Sequence, residues 1–263
     1  MYAFTLEQPH NLADAKRLVG AGAQALAGGQ TLLASLKQRL AQPGALVDLR
    51  GVGELRGVRR EGNALVIGAM TRHEDVASHA DVKAAIPGLA ALAGQIGDRQ
   101  VRAMGTLGGS VANNDPAACY PSAVLGLGAT VITDRREIAA DAFFQGLYTT
   151  ALEPGELITA IRFPIPKKAA YAKFRQPASR FALVGVFVAL TDAGARVAVT
   201  GAGNGVFRHA GLEAALNKSF TPEAVAGVPM DAADCNADLH ASAAYRAHLI
   251  RVQTQRAVAQ ANG

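Results

Sequence analysis

Two glycine-rich segments limit the possible folds more than any other feature of the chain. They read LAGGQTLL at residues 26–33 and GTLGGS at residues 105–110. The first predicts a short strand, a glycine pair and the start of a helix. Glycine permits positive φ and a close approach of the backbone to a ligand, and N–H groups at a helix start bind phosphate oxygens. The pair predicts two loops that hold a diphosphate from both sides; two ordinary tight turns are the alternative.

The composition is that of a globular protein without a nucleic-acid surface. The chain has 263 residues, of which 50% are hydrophobic and 18% are charged, which excludes a disordered chain. Its net charge is 26 − 21 = +5, but the basic residues are scattered along the sequence. Trp is absent and aromatic residues make up only 5%, which argues against a base-stacking surface. We therefore expect no nucleic-acid partner.

The cysteine and histidine patterns argue against a metal centre in this chain. Cys119 and Cys235 are the two cysteines, and they form no CxxC motif. The six histidines have no metal-ligand spacing. The longest apolar run, residues 181–190, is too short to cross a bilayer, and the N-terminus has no signal-peptide pattern. We expect a cytoplasmic protein without an integral membrane segment.

Short strands and helices alternate over the first part of the chain, and an extended linker follows. Pro164 to Lys168 is that linker, because it combines two prolines with two lysines. We predict one domain over residues 1–166, with parts at 1–52 and 53–166, and a second over residues 167–263. Finer expectations are a helix that begins with a capping box at Asn11, a strand over residues 64–68, a second capping box at Thr71 and Glu74, and one helix over residues 81–95. A Gly- and Asn-rich stretch follows at 105–115. A C-terminal helix is expected over residues 238–260, and its basic positions, Arg246 among them, face either solvent or a partner subunit.

Several segments resemble one known family. Residues 27–33, 96–102, 105–110 and 114–118 are similar to the flavin-binding loops of the medium, FAD-binding subunit of molybdenum hydroxylases. This is the family of aerobic carbon monoxide dehydrogenase and bacterial xanthine dehydrogenases. Residues 153–161, 174–181 and 244–249 are also similar to family segments, and all of them occur in the family order.

The resemblance implies the fold, the cofactors and the partners. The fold is α+β: a two-part PCMH-type FAD-binding domain, followed by a small α+β C-terminal domain of the carbon monoxide dehydrogenase flavoprotein type. This chain would bind FAD. A large partner subunit would hold the molybdenum cofactor, and a small partner subunit would hold two [2Fe–2S] clusters. The assembly would be a dimer of heterotrimers.

The resemblance also implies the cofactor-binding residues. The two loops would hold the diphosphate and ribityl, Ile96 would line the flavin site, and Leu157 or Ile158 would face the adenine side. Arg175 is the first choice for a basic residue near the flavin and Lys173 the second. The assigned set is Leu26, Ala27, Gly28, Gly29, Gln30, Thr31, Leu32, Leu33, Ile96, Thr106, Leu107, Gly108, Gly109, Ser110, Cys119, Leu157, Ile158, Lys173, Arg175 and Phe181.

Three positions depart from the family pattern. Gln30 stands where many relatives have His, and Phe181 stands where some have Tyr, so a ring contact persists without a hydroxyl. Cys119 falls where several relatives have an acid; it is either a small buried packing residue or a thiol near the flavin. None of the residues needs to act as a catalytic acid or base.

The function implied is that of an oxidoreductase subunit. Its FAD would take electrons from the [2Fe–2S] clusters of a partner and pass them to an external acceptor. The alternatives are a self-contained FAD-dependent reductase and a non-enzymatic assembly module with a decayed flavin site. The substrate stays open between carbon monoxide, aldehydes, purines and other N-heterocycles. The acceptor stays open between NAD⁺, quinone and oxygen.

Overall fold

The computed structural model describes residues 1–263 as a chain of mixed helices and strands. The helices are α1 (Leu12–Gly20), α2 (Leu32–Lys37), α3 (His73–Ser78), α4 (Ala80–Ala85), α5 (Pro87–Gly94), α6 (Arg99–Met104), α7 (Leu107–Asn113), α8 (Tyr120–Gly126), α9 (Ala140–Phe143), α10 (Ala210–Lys218) and α11 (Ala243–Asn262). The strands are β1 (Thr5–Glu7), β2 (Gln24–Leu26), β3 (Ala45–Asp48), β4 (Val58–Glu61), β5 (Ala64–Gly68), β6 (Thr130–Thr133), β7 (Glu137–Ala139), β8 (Phe144–Gly146), β9 (Thr149–Thr150), β10 (Ile158–Pro164), β11 (Lys168–Arg175), β12 (Ala182–Thr191), β13 (Gly194–Thr200) and β14 (Phe207–Arg208).

The N-terminal part contains two larger sheets, one after the other along the chain, and a small antiparallel sheet of β8 and β9. A parallel three-stranded sheet has the order β1-β3-β2. An antiparallel five-stranded sheet has the order β4-β5-β10-β6-β7, so β10 returns from far along the sequence to lie between β5 and β6. Helices α3 to α8 occupy the long connection between β5 and β6. The second glycine loop lies within this connection.

The C-terminal part is an antiparallel four-stranded sheet with the order β11-β12-β13-β14, against which α11 packs. Strand β12 is buried over most of its length, as its apolar sequence predicts. The largest hydrophobic core spans both parts of the chain, because Tyr171, Phe187, Ala189 and Ala198 belong to the same cluster as the helices of the N-terminal part. The α+β class is confirmed.

The region of α3 to α7 differs from the sequence prediction in three ways. The single helix expected over residues 81–95 is two helices, α4 and α5, because Pro87 disfavours the helical conformation at Ile86. Thr71 is not a helix cap; its hydroxyl accepts a 3.0 Å bond from the Gly57 N–H, and α3 begins at His73. The Gly- and Asn-rich stretch after Gly105 forms a helix, α7, which the sequence patterns did not predict.

The C-terminal helix differs from its prediction at its start and in its burial. It begins at Ala243, where the Ser242 hydroxyl accepts the Tyr245 N–H, and not at Asp238. Arg246, expected to face solvent or a partner subunit, is instead buried within the chain, because α11 packs along both β11 and β12. No helix in the structure is both long enough and apolar enough to span a membrane.

Candidate functional site

The structure brings the two glycine loops into direct contact. The first loop, residues 27–31, connects β2 to α2, and the second, residues 106–110, opens α7. Gly28 lies against the backbone before the second loop: a Cβ at this position would fall on the Met104 carbonyl oxygen and 2.7 Å from the Gly105 Cα. A Cβ at Gly109 would lie 3.4 Å from the Ala27 Cβ. Glycine is needed at position 28 for space, because the two backbones touch there.

The first loop presents a run of unused backbone donors. The N–H groups of residues 28–32 have no hydrogen-bond acceptor within the chain. Gly29 has a φ of 71°, a left-handed conformation that favours glycine. Successive N–H groups around such a residue form a concave site for an anion. The exposed side chains of Gln30 and Thr31 add polar groups beside this run.

The second loop uses its backbone donors internally, which corrects the expectation that both loops offer N–H groups to a phosphate. Leu107 N–H donates to the Thr71 carbonyl at 3.0 Å, and Gly108 N–H donates to the Ala69 carbonyl at 2.8 Å. Gly109 N–H donates to the Thr106 hydroxyl oxygen at 3.2 Å. These bonds fix the loop on the segment between β5 and α3. The second loop can therefore offer a ligand its hydroxyl groups and its shape.

A second group of assigned residues gathers around Lys173. Its ammonium donates to the Gln95 carbonyl at 2.7 Å and to the Arg180 carbonyl at 3.1 Å, and lies 3.5 Å from the Cys119 sulfur. Ile96 follows Gln95 and is half-buried. Cys119 is buried at the start of α8. Lys173 thus joins the C-terminal sheet to two assigned residues of the N-terminal part.

Arg175 and Phe181 lie farther toward the solvent. The guanidinium of Arg175, at the end of β11, is exposed and forms no hydrogen bond within the chain. The contacts therefore favour Lys173 over Arg175 as the basic residue near the flavin, because Lys173 contacts Gln95, the neighbour of Ile96, and Cys119. Phe181 is 48% exposed and follows Arg180, whose carbonyl accepts the Lys173 bond.

The remaining assigned residues are mostly packing residues in this structure. Leu26, Leu32 and Leu33 belong to a small apolar cluster beneath the first loop. Leu157 is buried in a cluster that Ala27 borders, whereas Ile158 is buried in the largest core. Of this last pair, Leu157 is the residue nearer to the first loop.

Two residues outside the assigned set support the site. His73 donates its backbone N–H to the Gly105 carbonyl at 3.0 Å, and its ring lies 5.2 Å from that of Tyr120, centroid to centroid. Burial, together with the nearby charge of Arg102, lowers the pKa of His73 to about 4, so its ring is neutral at pH 7. The buried Asn114 ends α7 with a left-handed φ of 45°. The sequence signals for Asn114 are the resemblance of residues 114–118 to a family segment and the Gly- and Asn-rich composition of the stretch before it, whereas no pattern indicates His73.

The residues present fit a dinucleotide with a diphosphate. The first loop has a run of N–H donors without an acceptor in the chain, and Gly28 holds this loop directly against the backbone of Met104 and Gly105. The second loop contributes the hydroxyl groups of Thr106 and Ser110. Lys173 provides a cation that no carboxylate within the chain neutralises. We regard these features as a cofactor site and not as two ordinary turns.

Comparison with known proteins agrees with this geometry. Residues 2–166 match the family described as the FAD binding domain in molybdopterin dehydrogenase. The carbon monoxide dehydrogenase medium chain of Afipia carboxidovorans is 37% identical, covering 98% of this chain and 96% of that one. The nicotine 6-hydroxylase medium subunit of Paenarthrobacter nicotinovorans is 32% identical, covering 98% and 97%.

A solved structure of carbon monoxide dehydrogenase from Hydrogenophaga pseudoflava has a chain with a TM-score of 0.90 to this one. The two chains are 35% identical, and the match covers 99% of this chain and 97% of that one. The family resemblance, the oxidoreductase class and the FAD cofactor that the sequence predicted are confirmed. The chain belongs to the family of FAD-binding domains of molybdopterin dehydrogenases, as a flavoprotein of the medium-chain type.

Proposed function

We propose that this chain is the FAD-carrying electron-transfer subunit of a heterotrimeric molybdenum hydroxylase. In this role it takes electrons from the [2Fe–2S] clusters of a small partner subunit and delivers them to an external acceptor. The observation that carries the proposal is the run of free N–H donors at residues 28–32, held against the second loop through Gly28. The bound FAD supplies the redox chemistry.

The residues of the chain bind and orient the cofactor. The N–H groups of residues 28–32 bind the diphosphate oxygens, because these five successive amides have no acceptor within the chain. Thr106 and Ser110 offer hydroxyl groups from the second loop. Lys173 places its positive charge next to Ile96 and Cys119, where it stabilises negative charge on a flavin.

Substrate oxidation belongs to a partner chain in this proposal. The medium chains of enzymes named for carbon monoxide and for nicotine are similar to this chain over nearly its whole length. Such different substrates are compatible with one kind of medium chain only when the substrate pocket lies elsewhere. We also propose that the FAD domain ends near residue 166, where the family match ends and the linker to β11 begins, and that the assembly is a dimer of heterotrimers in the cytoplasm.

The test is to purify the chain and analyse its flavin. We expect one FAD per chain, and acid precipitation should release it into the supernatant, because neither loop contains a His to form a covalent flavin bond. The FAD-loaded chain alone should not oxidise carbon monoxide, aldehydes or N-heterocycles with an artificial acceptor. Robust substrate oxidation by the isolated chain would replace the proposal with a self-contained reductase, and a chain that never takes up flavin would replace it with an assembly module.

A further inference from the structure

A cleft of about 330 Å³ opens between the N-terminal and C-terminal parts of the chain. One side of the cleft is lined by residues 115–117 and by Tyr148, which lies in the turn between β8 and β9. Phe181 and Arg246 line the other side. The glycine loops, Lys173 and Cys119 are not among its lining residues. Of the residues that we assign to FAD, only Phe181 lines the cleft, so the cleft adjoins the flavin site without including the glycine loops.

The N-terminal side of the cleft is held in place by Asn114. Its buried amide donates to the carbonyl groups of Gly146 and Thr149 at 2.8 Å each, which fixes the β8–β9 turn on the end of α7. In this turn Tyr148 has a left-handed φ of 52°, which is unfavourable for a bulky residue. The Tyr148 hydroxyl donates to an Asp115 carboxylate oxygen at 3.2 Å, while its side chain stays 57% exposed. The fold thus holds an exposed aromatic ring at the cleft, although the backbone of Tyr148 is strained there.

On the C-terminal side of the cleft, the guanidinium of Arg246 is held by partners within the chain. One terminal nitrogen of Arg246 donates to the carbonyl groups of Leu183 and Gly201 at 2.8 Å each. Its other terminal nitrogen donates to an Asp238 carboxylate oxygen at 2.7 Å. Arg246 therefore has little capacity to bind a phosphate or a carboxylate. Phe181 adds a second exposed aromatic ring.

The lining favours a flat ring without negative charge. Two carboxylates, Asp115 and Asp238, face one guanidinium, so the Asp and Arg side chains of the lining carry −2 + 1 = −1. Aromatic rings at the mouth pack against an aromatic ligand, and a carboxylate beside them adds attraction for a cation. The cleft is unsuited to a dinucleotide, because it offers no unpaired cation that could bind the phosphates.

We propose that this cleft binds the electron acceptor, a planar aromatic molecule that is uncharged or cationic. The proposal rests on the proposed function, and it specifies the class of acceptor and where that acceptor sits. Phe181 adjoins Arg180, which holds Lys173, and Asp115 lies four residues before Cys119, so the cleft borders the flavin site. On reduction an uncharged ring of this class takes up two electrons and two protons, and a cationic ring takes up two electrons and one proton. The reduced FAD of the proposed function donates the electrons and the protons, and any proton left over goes to solvent.

The test uses three phenazines that share one ring system: neutral phenazine, the N-methylphenazinium cation and the phenazine-1-carboxylate anion. Their binding to the full-length, FAD-loaded chain is measured by titration calorimetry. We expect the cation to bind tightest and the anion weakest. Tyr148→Ala should weaken the binding of the cation and of the neutral ring about tenfold, through lost ring packing. Asp115→Asn, which keeps an oxygen for the Ala117 N–H, should remove most of the preference for the cation over the neutral ring.

Matched controls separate a local effect from a general one. Tyr148→Phe retains the ring and should retain most of the binding, and Tyr2→Ala, which removes an exposed ring far along the sequence from the cleft, should leave it unchanged. The rates at which the three rings reoxidise photoreduced FAD should follow the order of affinity. Equal binding of all three rings, unchanged binding in Tyr148→Ala, or ring binding only after FAD is removed would overturn the proposal.

The flavin content of every sample distinguishes this proposal from the proposed function. Absence of FAD from the wild-type chain would contradict the proposed function, whatever the rings do. FAD at one per chain together with charge-independent ring binding would contradict the cleft alone.

Discussion

Gly28 is the residue on which the contact between the two glycine loops depends. We predict that Gly28→Ala weakens FAD binding at least about 30-fold, equivalent to about 2 kcal/mol, because the methyl group would displace the backbone at Met104 and Gly105. The dissociation constant is measured by flavin fluorescence titration of the apo chain. Gly44→Ala is the matched control, since a Cβ at that loop glycine meets nothing within 4 Å. Equal affinities in wild type and Gly28→Ala would contradict the loop contact.

The role of a residue can be predicted from the sequence where a local motif indicates it. It cannot be predicted where the role depends on a contact with a distant segment of the chain. The glycine pair at 28 and 29 indicates a close backbone approach from the sequence alone, yet the two glycines have different roles that only the folded chain separates. Gly29 needs its positive φ, and Gly28 needs the absence of a side chain. Lys173 was the second choice after Arg175, because nothing local in the sequence shows that β11 points Lys173 toward Gln95.

Glu156 ties the start of β10 to the β6–β7 hairpin and makes this part of the sheet sensitive to acid. Its carboxylate accepts bonds from Arg136 at 3.0 Å and from the Thr133 hydroxyl at 2.7 Å. Bonding to Arg136, with further bonds from Glu153 N–H and Thr133, lowers the pKa of Glu156 from 4.5 to about 2. A lowered pKa stabilises the fold above about pH 4.5, and that stability is lost as the pH falls toward 2.

We therefore predict that Glu156→Gln lowers the free energy of unfolding at pH 7 by up to about 3 kcal/mol, since each tenfold change in an acid dissociation constant corresponds to about 1.4 kcal/mol. The variant should also lose less stability than wild type between pH 4.5 and pH 2. Urea unfolding at several pH values measures both quantities. Glu61→Gln, in an exposed pair with Arg59, should change stability by less than about 1 kcal/mol. A pH profile that is the same for wild type and Glu156→Gln would refute the assignment.

At the level of helices and strands, the sequence patterns worked where hydrophobic periodicity is strong. The strand at 64–68 and the cap of α1 by Asn11 are where the patterns place them. Helix α7 escaped prediction because two glycines lower helix propensity, while its stability comes from the bonds that Thr71 and Ala69 offer to its first turn. Pro87 is a local signal for a helix boundary, but the apolar residues on both sides of it suggest one continuous helix.

The N-terminal and C-terminal parts pack against each other, although a linker-like sequence joins them. They share the largest core, and Asp141 of the first part accepts bonds from Arg196 and Arg208 of the second, at 2.9 and 3.2 Å. We predict a single unfolding transition, monitored in parallel by circular dichroism and by Tyr fluorescence. Asp141→Asn should lower its midpoint, at a cost of about 1–3 kcal/mol, without splitting the transition in two. Two separate transitions in the wild-type chain would show that the parts unfold independently.

The overall arrangement of the chain was predictable only through resemblance. Composition and the linker at 164–168 suggest two units, and the family order of the motifs supplies their identity. Nothing in the sequence shows that Phe187 and Ala198 complete the core of the N-terminal part, because contacts between distant segments leave no local pattern. The buried role of Arg246 was hidden for the same reason.

The position of Lys173 has a consequence for how the protein is made on the ribosome. The glycine loops emerge early during translation, but Lys173 reaches Gln95 and Cys119 only when β11 has paired with β12. Strand β11 is in turn covered by α11, which follows all the strands of the C-terminal sheet along the chain. The complete flavin pocket therefore cannot form before α11 has been synthesised and has packed on β11, and tight capture of the cofactor must follow that step.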